Sequence, residues 1–92
     1  METILFSVKI YSHSSHKGFY DASKAQALAE KLKQARKAAG LSQVELAQKL
    51  GRSQSYVNKV ENGHISIDVI ELITYCSALG VDPAKLVKSL SG

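Results

Sequence analysis

Residues 40–63 read GLSQVELAQKLGRSQSYVNKVENG: two Ser-started segments of helical pattern joined by LGRS. Each spans about two turns, and helices this short do not hold themselves up in water. In the first, Ser42 is the expected N-cap and SQVE a capping box, with Glu45 reaching back to the cap. Leu46, Ala47 and Leu50 lie on its inward side and Gly51 closes it. Ser53 caps the second segment, whose inward side is only Val57 and Val60, at i and i+3. The rest of that segment is Gln54, Ser55, Tyr56, Asn58 and Lys59, and Asn62-Gly63 ends it.

A link this short forces a sharp angle between the two helices, which is the helix-turn-helix arrangement. The second helix buries too little to serve mainly as core. Its outward side chains suit hydrogen bonds to base edges and phosphates. Such a helix fits the major groove, with its N-terminal half at the bases. It is short because one side packs on the domain and the other is left for DNA.

The charge distribution points the same way. The chain has 92 residues, a net charge of +4 and a sequence pI near 9.3. Residues 24–61 hold eight Lys/Arg against three Asp/Glu, a net +5, while residues 62–92 hold two against three, a net −1, and residues 1–23 are neutral. The basic charge thus sits on the segment that carries the two short helices, as a polyanion-binding surface requires.

The remaining chain supplies support. Residues 3–11 alternate, with Ile4, Phe6, Val8 and Ile10 on one side, and predict a strand. SHSSHKG then reads as a loop. Ser23 is the expected cap of a first helix, with SKAQ as a capping box through Gln26, an apolar stripe from Ala25 to Ala39, and Gly40 as its stop. A fourth helix is expected from about Ile67 to Leu79, burying Val69, Leu72, Ile73, Cys76 and Leu79, and stopped by Gly80. Asp82-Pro83 opens a fifth helix, with Leu86, Val87 and Leu90 as its apolar positions.

Residues 28–90 resemble the Cro and lambda-repressor-like helix-turn-helix family, also called the XRE family, through AGLSQ, LA..LG, S.S.V...E.G and SALGVDP. The resemblance implies an all-α, five-helix DNA-binding domain that acts as a homodimer on a palindromic operator. Residue by residue, it implies that Gln54, Ser55, Asn58 and Lys59 face the bases, with residues 54–61 as the recognition helix. It implies that Gln43 contacts phosphate and braces that helix, and that Arg36 and Glu61 form an ion pair tying the first helix to the end of the third. Arg36 lies beside the apolar stripe, where a charge needs a partner. Arg52 in the turn, Ser53 and Asn62 are the expected DNA-backbone contacts, and Tyr56 either joins them through its hydroxyl or packs on the surface of the second helix. HISID at 64–68 lacks the basic residues many relatives carry there.

Other chemistries are excluded by what is missing. One cysteine, Cys76, permits no internal disulfide or cysteine-rich zinc site and is expected as inert core. His13 and His16 have no Cys, Asp or Glu close by and read as loop rather than metal ligands. No nucleophile-elbow or phosphate-loop pattern occurs, so no enzyme and no cofactor is expected. No apolar run is long enough to span a membrane and no signal peptide is read. The resulting expectation is a domain at residues 24–92 behind an N-terminal extension, 1–23, whose strand at 3–11 pairs across a homodimer, is a disordered tail or packs within its own chain. The function expected is a cytoplasmic bacterial or phage transcriptional regulator, a repressor on a double-stranded DNA operator. The alternative from another class is an antitoxin that binds a toxin protein and its own operator.

Overall fold

The computed structural model describes residues 21–91. The strand expected at residues 3–11 lies outside the described residues. Among those described the structure is all-α: α1 (Ala22–Ala38), α2 (Gln43–Leu50), α3 (Gln54–Glu61), α4 (Val69–Leu79) and α5 (Pro83–Ser91).

Each helix starts where a side chain satisfies its first free N–H groups. For α1 that side chain belongs to Asp21, not Ser23: its carboxylate accepts from the Lys24 N–H at 3.1 Å, and the Ser23 hydroxyl donates to it at 2.7 Å. These two hydrogen bonds hold the Asp21 carboxyl below its ordinary pKa. A carboxylate is favoured over a hydroxyl here because it also meets the positive end of the helix dipole. Gln26 does not reach back to the cap. Its amide lies against Gly63, where a Cβ would collide with it. At the far side, the Lys24 ammonium donates to the carbonyl of Leu90 at 3.0 Å and ties α1 to α5.

The capping box of α2 is complete. Ser42 Oγ accepts from the Glu45 N–H at 3.0 Å and Glu45 Oε1 accepts from the Ser42 N–H at 2.8 Å. The turn to α3 rests on Gly51, whose φ of 67° lets the Arg52 N–H reach back to the Ala47 carbonyl at 2.9 Å. Two residues later Ser53 accepts from the Tyr56 N–H at 3.1 Å and α3 begins. The angle between α2 and α3 is therefore set by one left-handed glycine and one cap.

The start of α4 differs from the expectation. Asp68 is its N-cap, in a capping box with Glu71 at 2.8 and 2.7 Å, so Ile67 precedes the helix and packs on the core from outside it. The buried stripe is Leu72, Tyr75, Cys76 and Leu79. Val69 and Ile73, expected inside, are 67% and 47% exposed, as is neighbouring Ile70 at 70%. The helix is apolar almost all round, so its periodicity does not choose a side. Val87 of α5 is also exposed, while Leu86 packs on the core.

The core joins Leu32 of α1, Leu46 and Ala47 of α2, Val57 and Val60 of α3, and the α4 stripe. Leu32, Leu46, Val57 and Tyr75 are fully buried. Burying each such side chain stabilises the fold by about 1.5–3 kcal/mol, which is what short α2 and α3 lack on their own. α2 and α3 pack most extensively on each other, with α1 and α4 backing them. None of the helices described is long and apolar enough to cross a membrane.

Candidate nucleic-acid interface

Val57 and Val60 turn one side of α3 into the core, which leaves Gln54, Ser55, Asn58 and Lys59 exposed on the other. These four share one surface because they lie at i, i+1, i+4 and i+5 of one helix. Tyr56 stands at the edge of that surface, half buried. Burial raises the pKa of its phenol, which stays a neutral hydroxyl at physiological pH.

Beneath this surface the polar groups form one connected chain. Arg36 is 8% exposed and Glu61 5%. Nε donates to Glu61 Oε2 at 2.6 Å and Nη2 to Oε1 at 3.0 Å, while Nη1 donates to the Leu41 carbonyl at 2.8 Å. The hydrogen bond to Glu61 outweighs desolvation and raises the Arg36 pKa. Paired in this bidentate way, a buried charge becomes tolerable and orients both residues. Gln43, the first residue of α2, then donates through Nε2 to Glu61 Oε1 at 3.0 Å and to Asn58 Oδ1 at 3.4 Å. Its Oε1 accepts from Gln54 Nε2 at 3.0 Å. Asn62, beyond the end of α3, donates its amide to the Asn58 carbonyl at 2.8 Å and to Asn58 Oδ1 at 3.1 Å.

The turn residue Arg52 sits apart from this chain. Its guanidinium lies over the Tyr56 ring, 3.7 Å from the centroid, and 3.8 Å from the Glu71 carboxylate. Ser53 spends its hydroxyl on the cap of α3. The structure thus brings Gln43, Gln54, Asn58, Asn62, Arg36 and Glu61 into one network, and Arg52 and Tyr56 into a second cluster. Ser55 and Lys59 are exposed, and their side chains make no hydrogen bond or ion pair among the described residues. Glu71 belongs to the Arg52 cluster and was missed from sequence. Its signal was the D-x-x-E spacing from Asp68, which places its carboxylate at the start of α4. Among the described residues no group of three or more His, Cys, Asp or Glu could hold a metal ion.

The short α2 and α3, their three-residue turn and the exposed polar side of α3 define a helix-turn-helix DNA-binding domain. A helix-turn-helix family model matches residues 32–86. The chain belongs to the XRE family of helix-turn-helix proteins. It is similar to an XRE-family-like protein from Pseudomonas syringae pv. tomato, at 41% identity over 87% of this chain and 92% of that one, with a TM-score of 0.71. It is also similar to the restriction-modification controller protein C.AhdI from Aeromonas hydrophila, at 31% identity over 71% and 94%, TM-score 0.66. The clp gene regulator ClgR of Corynebacterium glutamicum is 28% identical over 75% of this chain and 90% of that one, TM-score 0.68. Among curated proteins, none matches this chain significantly.

Proposed function

We propose that the chain is a small transcriptional regulator that binds an operator in double-stranded DNA as a homodimer and represses by occupying it. α3 enters the major groove, with Gln54, Ser55, Asn58 and Lys59 at the bases. Arg52, Ser53, Tyr56 and Asn62 serve the sugar-phosphate backbone, and Gln43 serves it through its main-chain N–H at the start of α2, since its side-chain amide is taken up by Glu61, Asn58 and Gln54; the protein thus works beside DNA in the bacterial cytoplasm. The observation that carries this reading is the outward side of α3: four exposed polar side chains on a two-turn helix that the core holds from behind. The net +5 of residues 24–61 supplies the sequence-independent part of the attraction. The regulators C.AhdI and ClgR, which share the fold, favour a regulator over an antitoxin.

The test is selection of duplexes from a random pool at fixed salt, followed by light scattering of the complex. The expected product is a palindromic consensus whose half-sites lie one duplex turn apart, about 34 Å, bound by two chains. A single asymmetric site bound by one chain would refute the dimer, and failure to enrich any sequence would refute specific recognition.

A further inference from the structure

The network under α3 has a direction. A side-chain amide has one acceptor oxygen and one nitrogen with two N–H donors, and nothing in its shape says which end goes where. A carboxylate has only acceptors. Glu61, held by Arg36, therefore requires the nitrogen of Gln43, not its oxygen, at 3.0 Å. That choice propagates. With one N–H on Glu61 and the other on Asn58 Oδ1, Gln43 turns its oxygen to Gln54. Gln54 must answer with an N–H, which leaves its own Oε1 and its second N–H for the outside. Asn58 has its oxygen engaged by Gln43 and Asn62, which leaves it only N–H donors to offer.

We propose that the Arg36–Glu61 pair, acting through Gln43, fixes which way round the amides of Gln54 and Asn58 stand, and so sets the hydrogen-bond code that α3 shows to a base pair. Gln43 and Glu61 are then positioning residues for specificity, although Glu61 is buried and two hydrogen bonds away from the exposed atoms of Gln54. The inference rests on the major-groove reading of α3 and deepens it. The offered groups name the bases. An acceptor beside a donor on Gln54 matches the amino group and N7 of adenine. A donor-only Asn58 is denied that pairing. It matches purine N7 and O6, the two acceptors of guanine, or O4 of thymine.

Reversing any one amide puts like against like. An oxygen of Gln43 turned to Glu61 would meet a carboxylate, and its nitrogen would meet the nitrogen of Gln54. At the part-buried Glu61–Gln43 link the cost of an unmade hydrogen bond fixes the sense of Gln43, and the exposed links to Gln54 and Asn58 take their sense from it. Without Gln43 nothing holds Gln54 to one orientation, because its amide is exposed and turns over freely.

The experiment uses the full chain. Random-pool selection on the wild-type protein gives the consensus, and Gln54→Ala and Asn58→Ala mark the base pair each residue reads. Gln43→Met keeps the length and apolar stem of the side chain but has no polar end to relay. Its expected result is a fall of about tenfold in discrimination at the two marked base pairs, with preferences elsewhere retained. Glu61→Gln, in which the relay can run in either sense, should do the same while Gln43 is intact; should that variant fail to fold, Gln43→Met alone decides. Unchanged discrimination at the marked positions, or an even loss across the whole site, would overturn the relay while leaving DNA recognition standing. So would a cytosine contact through Asn58, since cytosine offers a donor there. No consensus from the wild-type chain would overturn both together.

Discussion

Polar groups are buried at two sites within this small core, and the two are treated in opposite ways. Where α1 meets the end of α3, the Arg36 guanidinium and the Glu61 carboxylate make four hydrogen bonds between them, counting those to Leu41 and Gln43. On α4, the Tyr75 side chain is fully buried and its hydroxyl has no hydrogen-bond partner among the described residues. The first site is a charge pair whose remaining valences are used to orient residues that reach the surface. The second is a ring that fills volume, with an oxygen carried along. Burial alone therefore says little about what a polar group contributes. What decides it is whether removing the group leaves a partner stranded.

The largest expected effect breaks the first site. Arg36→Ala leaves Glu61 buried with its main partner gone and should cost about 3–5 kcal/mol in denaturant unfolding. Replacing both residues together by apolar side chains should cost less than the single change. If the two losses simply add in a double-mutant cycle, the residues do not act as a pair. Next comes the surface that this pair supports. Gln54→Ala should lose about 1–3 kcal/mol on the operator and relax preference at one base pair per half-site, measured against a random duplex. Equal losses on both duplexes would take Gln54 off the bases.

Of intermediate size is the helix cap that aims α3. Ser53→Ala removes the bond to the Tyr56 N–H and should cost about 1 kcal/mol of stability; a change within experimental error would mean the turn is held by Gly51 alone. Arg52→Ala tests the second cluster through salt. Operator and random DNA should weaken alike, with the salt dependence flattened by about one unit of slope for the lost phosphate contact. An unaltered slope would leave Arg52 to Tyr56 and Glu71 only.

The smallest effect belongs to the second buried group. Tyr75→Phe strands nothing and should change stability at neutral pH by less than about 0.5 kcal/mol, in either direction. The difference emerges in alkali. Burial pushes the Tyr75 phenol far above its ordinary pKa of 10.0. With the folded-state pKa raised, its contribution is complete below about pH 10 and is lost as pH rises beyond that. The buried Cys76 thiol, also raised by burial, titrates in the same direction. Tyr75→Phe should therefore shift alkaline unfolding to higher pH, read by far-UV circular dichroism. An identical midpoint would mean that Tyr75 reaches solvent or a partner before the domain unfolds.

What could be read from sequence was whatever is enforced within a few residues. Ser42 with Glu45, Gly51 and Ser53 specify α2, its end and the start of α3 through bonds spanning at most five residues, so their spacing alone carries the helix-turn-helix. The i, i+3 valines likewise gave α3 its inward side, and with it the outward set Gln54, Ser55, Asn58 and Lys59. The cap of α1 was misplaced because Asp21 and Ser23 both have capping chemistry, and only the packed chain decides between two caps two residues apart. The side of α4 was misread for a different reason. Val69, Ile70, Leu72, Ile73, Tyr75, Cys76 and Leu79 make it apolar in almost every direction, so no periodicity selects Tyr75 over Ile73. Selection came from α1, α2 and α5 packing against one side. The same holds for the polar network: sequence placed Gln43, Gln54, Asn58 and Glu61 on two helices, but the sense of each amide depends on a carboxylate 18 residues from Gln43 in the chain. Local bonds determined the motif, and contacts between distant segments decided which atoms it presents.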